Sequence, residues 1–355
     1  MYGWIRVSDS INALTGQSPA ARAWRRFRRD RLGFYSLLIF CTLVLISLAA
    51  EWVSNDRPLV LVYQGQVYWP QWKDYPETQF GGDFATPTDY LDPYIQERLR
   101  APGNWAWFAP NRYGPKTINY FAKMPNPAPP SAQNWLGTDD RGRDLLAQLI
   151  YGFRVSVLFG LALTVSGTLL GVIAGAIQGY FGGWLDLGAQ RFLEIWGSMP
   201  ELYLLIIFSA VFAPSVALLL ILLSLFGWMG LADYVRAEFL RNRQLDYVRA
   251  ARALGVSNWH IMVRHLLPNS LTPVVTFLPF RMSGAILALT SLDFLGLGVP
   301  PGTPSLGELL AQGKNNIDAW WISLGTFTVL VLTLLLLTFM SDALRHAVDP
   351  RRSDA

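Results

Sequence analysis

The sequence has little of the material from which metal and redox sites are built. Its 355 residues include one cysteine, Cys41, and three histidines. One cysteine cannot form a disulfide framework or a cysteine-based zinc site, and three histidines leave little for a histidine cluster. We therefore expect no metal site and no cofactor in this chain.

Charge is also scarce. Charged residues make up 15% of the chain and hydrophobic residues 52%, whereas soluble globular proteins carry roughly 25% charge. The excess of basic residues, a net charge of +4, flanks apolar blocks and does not form a polar face with aromatics. This placement argues against a nucleic-acid partner and is typical of topology signals in a protein surrounded by membrane lipid.

Motifs of the common hydrolases are missing too. The phosphate-binding pattern G-x-x-x-x-G-K-[ST] does not occur. Its nearest approach, Gly307 to Gly313-Lys314-Asn315, has one residue too many between the glycines and no Ser or Thr after the lysine. A G-x-S-x-G elbow is likewise absent. The sequence predicts that the chain is not an enzyme, and that energy for any work comes from a partner.

The first apolar block covers residues 33–50 and follows a basic segment, 1–32, that contains seven arginines. Eighteen helical residues are roughly 27 Å long, enough to cross a hydrocarbon core of about 30 Å with modest tilt. A cleaved secretory signal is the alternative, but a basic region of this length is long for a signal peptide. We interpret the block as a membrane anchor.

Residues 51–154 are polar and rich in turn-forming residues, so they cannot cross a bilayer. Alternating apolar residues on both sides of Gln64-Gly65 predict a short hairpin there. We expect one compact insert outside the membrane.

Further apolar blocks lie at 155–181, 192–212, 216–230, 271–292 and 320–340. The uncharged stretch 202–232 is too long for one crossing, and Pro214 offers a break within it. If this break is a tight hairpin, the first helix starts near Ala189, with Arg191 and Glu194 in its first turns, and the second runs past Asp233.

The positive-inside rule decides between five spans and six. Six spans place on one side, the cytoplasm, the basic N-terminus, the six arginines of 236–264 and the tail with Arg345, Arg351 and Arg352. The sequence thus predicts an all-α membrane protein with six transmembrane helices and both termini cytoplasmic. Its parts are the N-terminal segment 1–32, the first helix 33–50, the insert 51–154, a five-helix core 155–345 and the tail 346–355.

Four glycines recur at a spacing of four in the second span: Gly167, Gly171, Gly175 and Gly179. Residues at this spacing share one helix face, and small residues there allow another helix to approach closely. The pattern indicates tight packing within one chain or, alternatively, a seam with a second membrane subunit.

The charged cytoplasmic segment 244–268 is the most informative stretch. Two short amphipathic helices are predicted to meet at Gly255, which can adopt the left-handed conformation, while Ser257 or Asn258 caps the second helix. Ala250 and Ala251 give the first helix a slim surface suited to a groove on another protein. Pro268 is expected to end the second helix. The alternative is an ordinary solvated loop whose arginines only fix topology.

This segment resembles the cytoplasmic motif of permease subunits of binding-protein-dependent ABC importers. The motif reads E-A-A, three residues, G, nine residues, I-x-L-P, and Arg249-Ala250-Ala251, Gly255, His265, Leu267 and Pro268 occupy those positions. Arg249 and His265 replace the glutamate and isoleucine, as in the C-type subunits of the dipeptide/oligopeptide branch. Residues 136–144 (LGTDDRGRD), 291–300 (SLDFLGLGVP) and 304–308 (PSLGE) resemble the same branch.

The insert resembles that of a narrower group, the Yej-type permeases associated with uptake of microcin C and other peptides or peptide-nucleotide antibiotics. The residues that carry this likeness are 55–59 (NDRPL), 80–83 (FGGD), 131–138 (SAQNWLGT) and 312–316 (QGKNN).

The resemblance implies a type I ABC importer permease fold in a bacterial inner membrane, with a periplasmic insert. It implies a second, B-type permease, two ATPase subunits or one fused ATPase that bind ATP and Mg, and a periplasmic peptide-binding protein. The residues that it implies for ATPase coupling are Arg249, Ala250, Ala251, Ala253, Leu254, Gly255, Val256 and Ser257. The residues that it implies for an external gate loop are Phe294, Gly296, Gly298, Pro300 and Pro304.

Two hypotheses of other classes remain. A gradient-driven transporter would need ionisable residues at a midplane cavity, for which Arg281 is the one charge well inside a predicted span. A membrane-anchored ligand-binding or assembly protein would use the aromatic insert, with Trp69, Trp72, Trp105 and Trp107, for recognition.

Overall fold

The computed structural model describes residues 19–120, 124–213 and 215–348. Most of the predicted basic segment 1–32, the predicted break at Pro214 and residues 349–355 of the predicted tail lie outside these ranges.

The described chain is mainly helical. The helices are α1 (Pro19–Arg29), α2 (Arg31–Leu48), α3 (Ala50–Val53), α4 (Pro93–Leu99), α5 (Leu145–Phe181), α6 (Gly183–Gly197), α7 (Glu201–Val211), α8 (Val216–Phe226), α9 (Met229–Asn242), α10 (Asp246–Ala253), α11 (Asn258–His260), α12 (Leu267–Phe294), α13 (Leu306–Asn315) and α14 (Trp320–Val348). Glu77–Phe80 forms a 3-10 turn, and Ile261–Leu266 forms a π-helical turn that leads into α12.

Five segments of the described chain are long and apolar enough to cross a membrane, and a bent pair of helices makes a sixth if it counts as one span. The five are Arg31–Leu48, Leu145–Phe181, Val216–Asn242, Pro273–Phe294 and Trp320–Val348. The chain is therefore a helical membrane protein with five or six apolar spans.

The bent pair consists of α6 and α7, which meet at 65°. The bend falls at residues 198–200, where Pro200 lacks the N–H that would continue the helical ladder. Helix α6 begins at Gly183, directly after the turn at Gly182, and not near Ala189, as the hairpin interpretation required. The following span does run past Asp233, to Asn242, as expected.

The second span begins earlier than the hydropathy pattern indicated. Asp144 caps α5 by accepting a hydrogen bond from the Ala147 N–H at 2.8 Å, so the helix starts at Leu145 and not near residue 155. The last ten residues assigned to the insert therefore belong to this helix. Polar caps do not raise hydropathy, which explains the shift.

The insert has a small core of its own. Strands β1 (Val60–Tyr63), β2 (Gln66–Tyr68) and β3 (Trp105–Trp107) form an antiparallel sheet in the order β2-β1-β3. Gln64 and Gly65, both with positive φ, turn the chain between β1 and β2, which confirms the predicted hairpin. The all-α class therefore holds for the membrane part only, and the insert adds three short strands.

Helix α5 contributes to three separate apolar clusters. Its first turns pack with α2, α12, α13 and α14 through Leu145 and Leu149. Phe159 and Leu163 pack with α7, α8 and α12. Ala176 and Tyr180 pack with α9, α10 and the π-helical turn. This helix is the central element of the described membrane part.

Candidate functional site

The turn after α10 has the geometry predicted for Gly255. The glycine has φ +75°, its N–H donates to the Arg252 carbonyl at 3.1 Å, and the Val256 N–H donates to the Ala251 carbonyl at 3.1 Å. These two bonds form a Schellman motif, which satisfies the last carbonyls of α10. A Cβ on Gly255 would meet no atom within 4 Å, so the glycine is required by backbone conformation and not by space.

The second part of the segment starts at Ser257, whose side chain accepts a hydrogen bond from the His260 N–H at 3.4 Å. Pro268 does not end this helix, as the sequence had suggested. It lies in the first turn of α12, directly after the π-helical turn Ile261–Leu266. Because the π-helical turn runs directly into α12, the helical chain continues through Pro268, although proline lacks the N–H for a backbone hydrogen bond there.

The segment 244–268 has one buried face and one exposed face. Val248 and Ala251 are buried against α9 and the π-helical turn. Ala251 thus points inward, and only Ala250 of the alanine pair belongs to the exposed surface. Leu254 and Trp259 are 83% and 72% exposed, respectively. The other coupling residues of the sequence prediction that lie exposed are Arg249, Ala253, Gly255 and Ser257, whereas Val256 is half-buried.

Polar contacts tie this segment to the end of α5. The Tyr180 hydroxyl donates to Asn258 Oδ1 at 2.7 Å, and the Arg252 guanidinium lies 5.4 Å from the Tyr180 ring centroid. Arg243 donates to the Gly179 and Tyr180 carbonyls at 3.1 and 2.9 Å. The segment and the residue before it, Arg243, are thus joined to the end of α5 by polar contacts.

Three of the four glycines of α5 face α9 within the same chain, whereas Gly167 faces Arg281 of α12. A Cβ on Gly171 would lie 2.9 Å from the Trp228 carbonyl oxygen, and one on Gly179 would lie 2.6 Å from the Arg236 carbonyl oxygen. A Cβ on Gly175 would overlap the Ala232 carbonyl oxygen, and one on Gly167 would lie 2.8 Å from a guanidinium nitrogen of Arg281. Gly171, Gly175 and Gly179 thus leave no room for a side chain, because backbone atoms of the facing chain would meet it.

The predicted gate loop connects α12 to α13. Asp293, near the end of α12, accepts hydrogen bonds from the Val299 N–H at 2.7 Å and from the Ser305 hydroxyl. Gly296 has φ +74°, and a Cβ on Gly298 would overlap the Asp293 carboxylate. Phe294 lies under the Lys314 ammonium, 5.4 Å from its ring centroid. The loop that holds Pro300 and Pro304 is therefore folded around one carboxylate.

At the other end of α5 lies a buried polar network that sequence reasoning did not assign. Asp144 accepts hydrogen bonds from the side-chain amides of Asn111 and Asn134 at 2.7 and 2.9 Å, and Arg143 donates through Nε to Asp139 at 2.6 Å. These acidic and basic residues all belong to the motif 136–144. The motif thus joins the insert to the first turn of α5.

Charges inside the membrane part form two further groups. Arg236 of α9 donates to Asp186 of α6 at 2.7 Å, and Gln190 donates to Asp233 at 3.1 Å. Arg281 of α12 and Glu201 of α7 line one cavity with no ion pair between them. Glu201 was missed from the sequence, although its position beside Pro200 at the edge of an uncharged run marks it.

In the described residues 19–120, 124–213 and 215–348, no three His, Cys, Asp or Glu side chains come together in a cluster that could hold a metal ion.

Comparisons with known proteins match most of the chain. The family described as binding-protein-dependent transport system inner membrane component matches residues 167–354. The N-terminal TM domain of oligopeptide transport permease C matches residues 18–68.

Two relatives extend over almost the whole chain. The inner membrane ABC transporter permease protein YejE of Escherichia coli K12 is 51% identical over 337 residues, which are 95% of this chain and 98% of that protein. The peptidoglycan transport system permease protein YejE of Agrobacterium fabrum is 49% identical over 358 residues, with 94% and 93% of the two chains covered. A chain of the MetNI methionine ABC transporter, in an inward-facing structure, aligns with 18% identity and a TM-score of 0.48, over 58% of this chain and 98% of that chain.

Proposed function

The chain belongs to the family of binding-protein-dependent transport system inner membrane components, and from this premise we propose that it passes peptides or peptide-like compounds into the cell. It is a permease subunit of an ABC transporter, a multi-pass inner membrane protein without an ATPase site of its own. The peptide cargo is supported by the match of residues 18–68 to the N-terminal TM domain of oligopeptide transport permease C.

The proposed cargo class includes compounds of the microcin C and peptide-nucleotide type. The proposed assembly contains a second, B-type permease and a periplasmic peptide-binding protein. It also contains either two ATPase subunits or one fused ATPase, which bind ATP and Mg. Both termini and the segment 244–268 would lie in the cytoplasm, and the insert and the loop from Phe294 to Pro304 in the periplasm.

One observation carries the coupling part of this proposal: within the segment, α10 ends in a hydrogen-bonded Schellman turn, and Leu254 and Trp259 beside this turn form an exposed apolar surface. Exposed apolar groups of this kind are typical of a docking surface. The opposite face of the segment contacts α5, α9 and the start of α12. We infer that ATPase docking at Leu254 and Gly255 drives these three helices.

The experiment uses Gly255→Val in the tagged, full-length chain. A β-branched residue at positive φ is strongly strained, so the turn should deform, the ATPase should no longer co-purify, and peptide uptake should be lost. Gly255→Asn is the conservative variant, because Asn tolerates the left-handed conformation, and it should retain most uptake.

A matched control exists in the insert. Gly103 also has a positive φ, +87°, and open space around its Cα, so Gly103→Val introduces the same strain far from the segment. It should retain the ATPase. Normal uptake by Gly255→Val would show that the coupling assignment is wrong. A wild-type chain that purifies without any ATPase, while other membrane complexes stay together, would contradict the proposed assembly as a whole.

A further inference from the structure

An open cavity of about 270 Å³ lies between the apolar helices α5, α7, α8 and α12. Two opposite charges line it, Glu201 and Arg281. Much of the remaining wall is made of small residues, including Gly227, Gly284, Ala285 and Ala288. Small side chains around two charged groups leave space that a polar ligand can enter.

Arg281 uses only part of its hydrogen-bonding capacity. One terminal nitrogen donates to the Gly227 carbonyl at 2.9 Å, where the chain turns between α8 and α9. The Nε–H is buried and has no hydrogen-bond partner in the described part of the chain. A buried guanidinium N–H without an acceptor is costly, so this donor is suited to an acceptor that arrives from outside the chain.

Glu201 occupies the complementary position. It lies in the first turn of α7, directly after the break at Pro200. Within residues 19–120, 124–213 and 215–348, its carboxylate forms no ion pair with Arg281 or with any other residue. Ionisable groups at membrane depth usually pair with one another. Two opposite charges that share a cavity and do not pair with each other match a ligand that carries both charges.

We propose that Glu201 and Arg281 form a recognition site within the membrane for the two charged ends of short zwitterionic peptides. Arg281 donates to the peptide carboxylate, and Glu201 accepts hydrogen bonds from the peptide ammonium group. The cavity is slightly smaller than ligand pockets of roughly 300–1,000 Å³, so it suits a peptide of very few residues or one end of a longer one. The inference rests on the proposed function, since it assigns residues to the cargo that the permease carries.

The test uses the complete importer, purified with its own partners and reconstituted into proteoliposomes. The probes are trialanine, its C-terminal amide and its N-acetyl derivative. The binding protein selects among them identically in every preparation, so a change in an uptake ratio between variants reports on this chain alone.

Arg281→Gln should lower the ratio of free-acid to amide uptake by about tenfold, the loss expected for one charge-assisted hydrogen bond. It should leave the ratio of free-amine to N-acetyl uptake unchanged. Arg281→Lys keeps the charge and should restore most of the preference. Glu201→Gln should show the reverse pattern, with the free-amine preference lowered and the carboxylate preference kept.

The control pair is Arg191→Gln and Glu194→Gln. These residues form an exposed ion pair at 2.5 Å on α6, outside the cavity, and neither variant should change either ratio.

If Arg281→Gln lowers the uptake of all three probes equally, the proposal is overturned. Arg281 would then only donate a hydrogen bond to the Gly227 carbonyl. If Arg281→Gln fails to assemble, Glu201→Gln decides alone, since no side-chain contact within the described chain depends on that carboxylate. Unchanged ratios in Glu201→Gln would then overturn the site. A wild-type importer that hydrolyses ATP but moves none of the probes would contradict the peptide function itself, and the site with it.

Discussion

At its first turn, helix α5 is held by an ion pair and by hydrogen bonds from side-chain amides. Along its second half, it is held by close packing that glycines make possible. At the first turn, Asp144 and the ion pair of Asp139 with Arg143 are buried among hydrogen-bond donors. In the second half, Gly171, Gly175 and Gly179 let α9 approach until atoms of residues 228–239 would touch any added Cβ. Hydrogen bonds are directional, whereas close packing is not.

The difference indicates what each end contributes. The polar end fixes the orientation of α5 relative to the insert, because each donor and acceptor has one geometry that satisfies it. The glycine end fixes the distance between α5 and α9, and with it the contact to the segment 244–268. Each of the following substitutions weakens one end and leaves the other intact.

The largest effect is expected from Arg143→Met. Its partner Asp139 is fully buried, and removing one member of a buried pair typically costs about 3–5 kcal/mol because the other charge is left uncompensated. Thermal unfolding of the purified complex measures the loss. Arg191→Met, at the exposed pair with Glu194, is the matched control and should change stability by less than about 1 kcal/mol. Equal effects of the two variants would contradict a special role for the polar end.

Gly175→Ala should be next in size. Its new Cβ would overlap the Ala232 carbonyl and lie 2.9 Å from the Val235 Cβ, and overpacking of this kind costs about 1–3 kcal/mol. Gly188→Ala, in α6 where an added Cβ meets no atom within 4 Å, should be neutral or slightly stabilising. Both are measured by thermal unfolding and by the amount of folded chain in the membrane. If Gly175→Ala does not lower the unfolding temperature, α5 and α9 are less closely packed at this position than these distances require.

The smallest effect is a pH dependence at the polar end. Burial raises the pKa of Asp144 above its ordinary value of 3.8, although the amides of Asn134 and Asn111 oppose this. A carboxyl with a raised pKa in the folded state contributes stability below the unfolded pKa, and this stability is lost as the pH rises through the folded pKa.

The measurement compares the free energy of unfolding of wild type and Asp144→Asn as the pH is lowered from 7 toward about 4. Wild type should gain stability relative to the variant, which cannot titrate but can still cap α5. Asp92→Asn, at the exposed cap of α4, is the control. It measures how much an Asp-to-Asn change at an exposed helix cap alters the free energy of unfolding over the same pH range. A relative loss of wild-type stability on acidification would show that the hydrogen bonds to the carboxylate outweigh its burial.

Sequence patterns predicted the elements whose cause is local. The turn at Gln64-Gly65, the left-handed Gly255 and the cap at Ser257 each depend on a few adjacent residues, and the structure contains all three. Predictions failed at two helix boundaries. Pro268 was expected to end a helix and lies at the start of one, and α5 begins ten residues before its apolar block because Asp144 caps it.

The candidate site divides in the same way. The spacing of Arg249, Ala250, Ala251 and Gly255 identified the segment 244–268, but which of these residues are exposed depends on packing against α9 and the π-helical turn. That Ala251 is buried is visible only in the structure. Arg281 stood out in the sequence as a charge in an apolar run, whereas Glu201 gained significance only when the bend at Pro200 placed it in the same cavity.

By itself, the sequence determined that this chain crosses a membrane, that it has no phosphate-binding loop, and that its glycines lie on one face of the second span. Those properties follow from composition and from the helical period, which are local. The tertiary structure alone decided that three of the four glycines contact α9 within the same chain, that the motif 136–144 forms a buried network, and that Glu201 and Arg281 share a cavity. Such contacts join residues far apart in sequence, and only the packing of the folded helices brings them together.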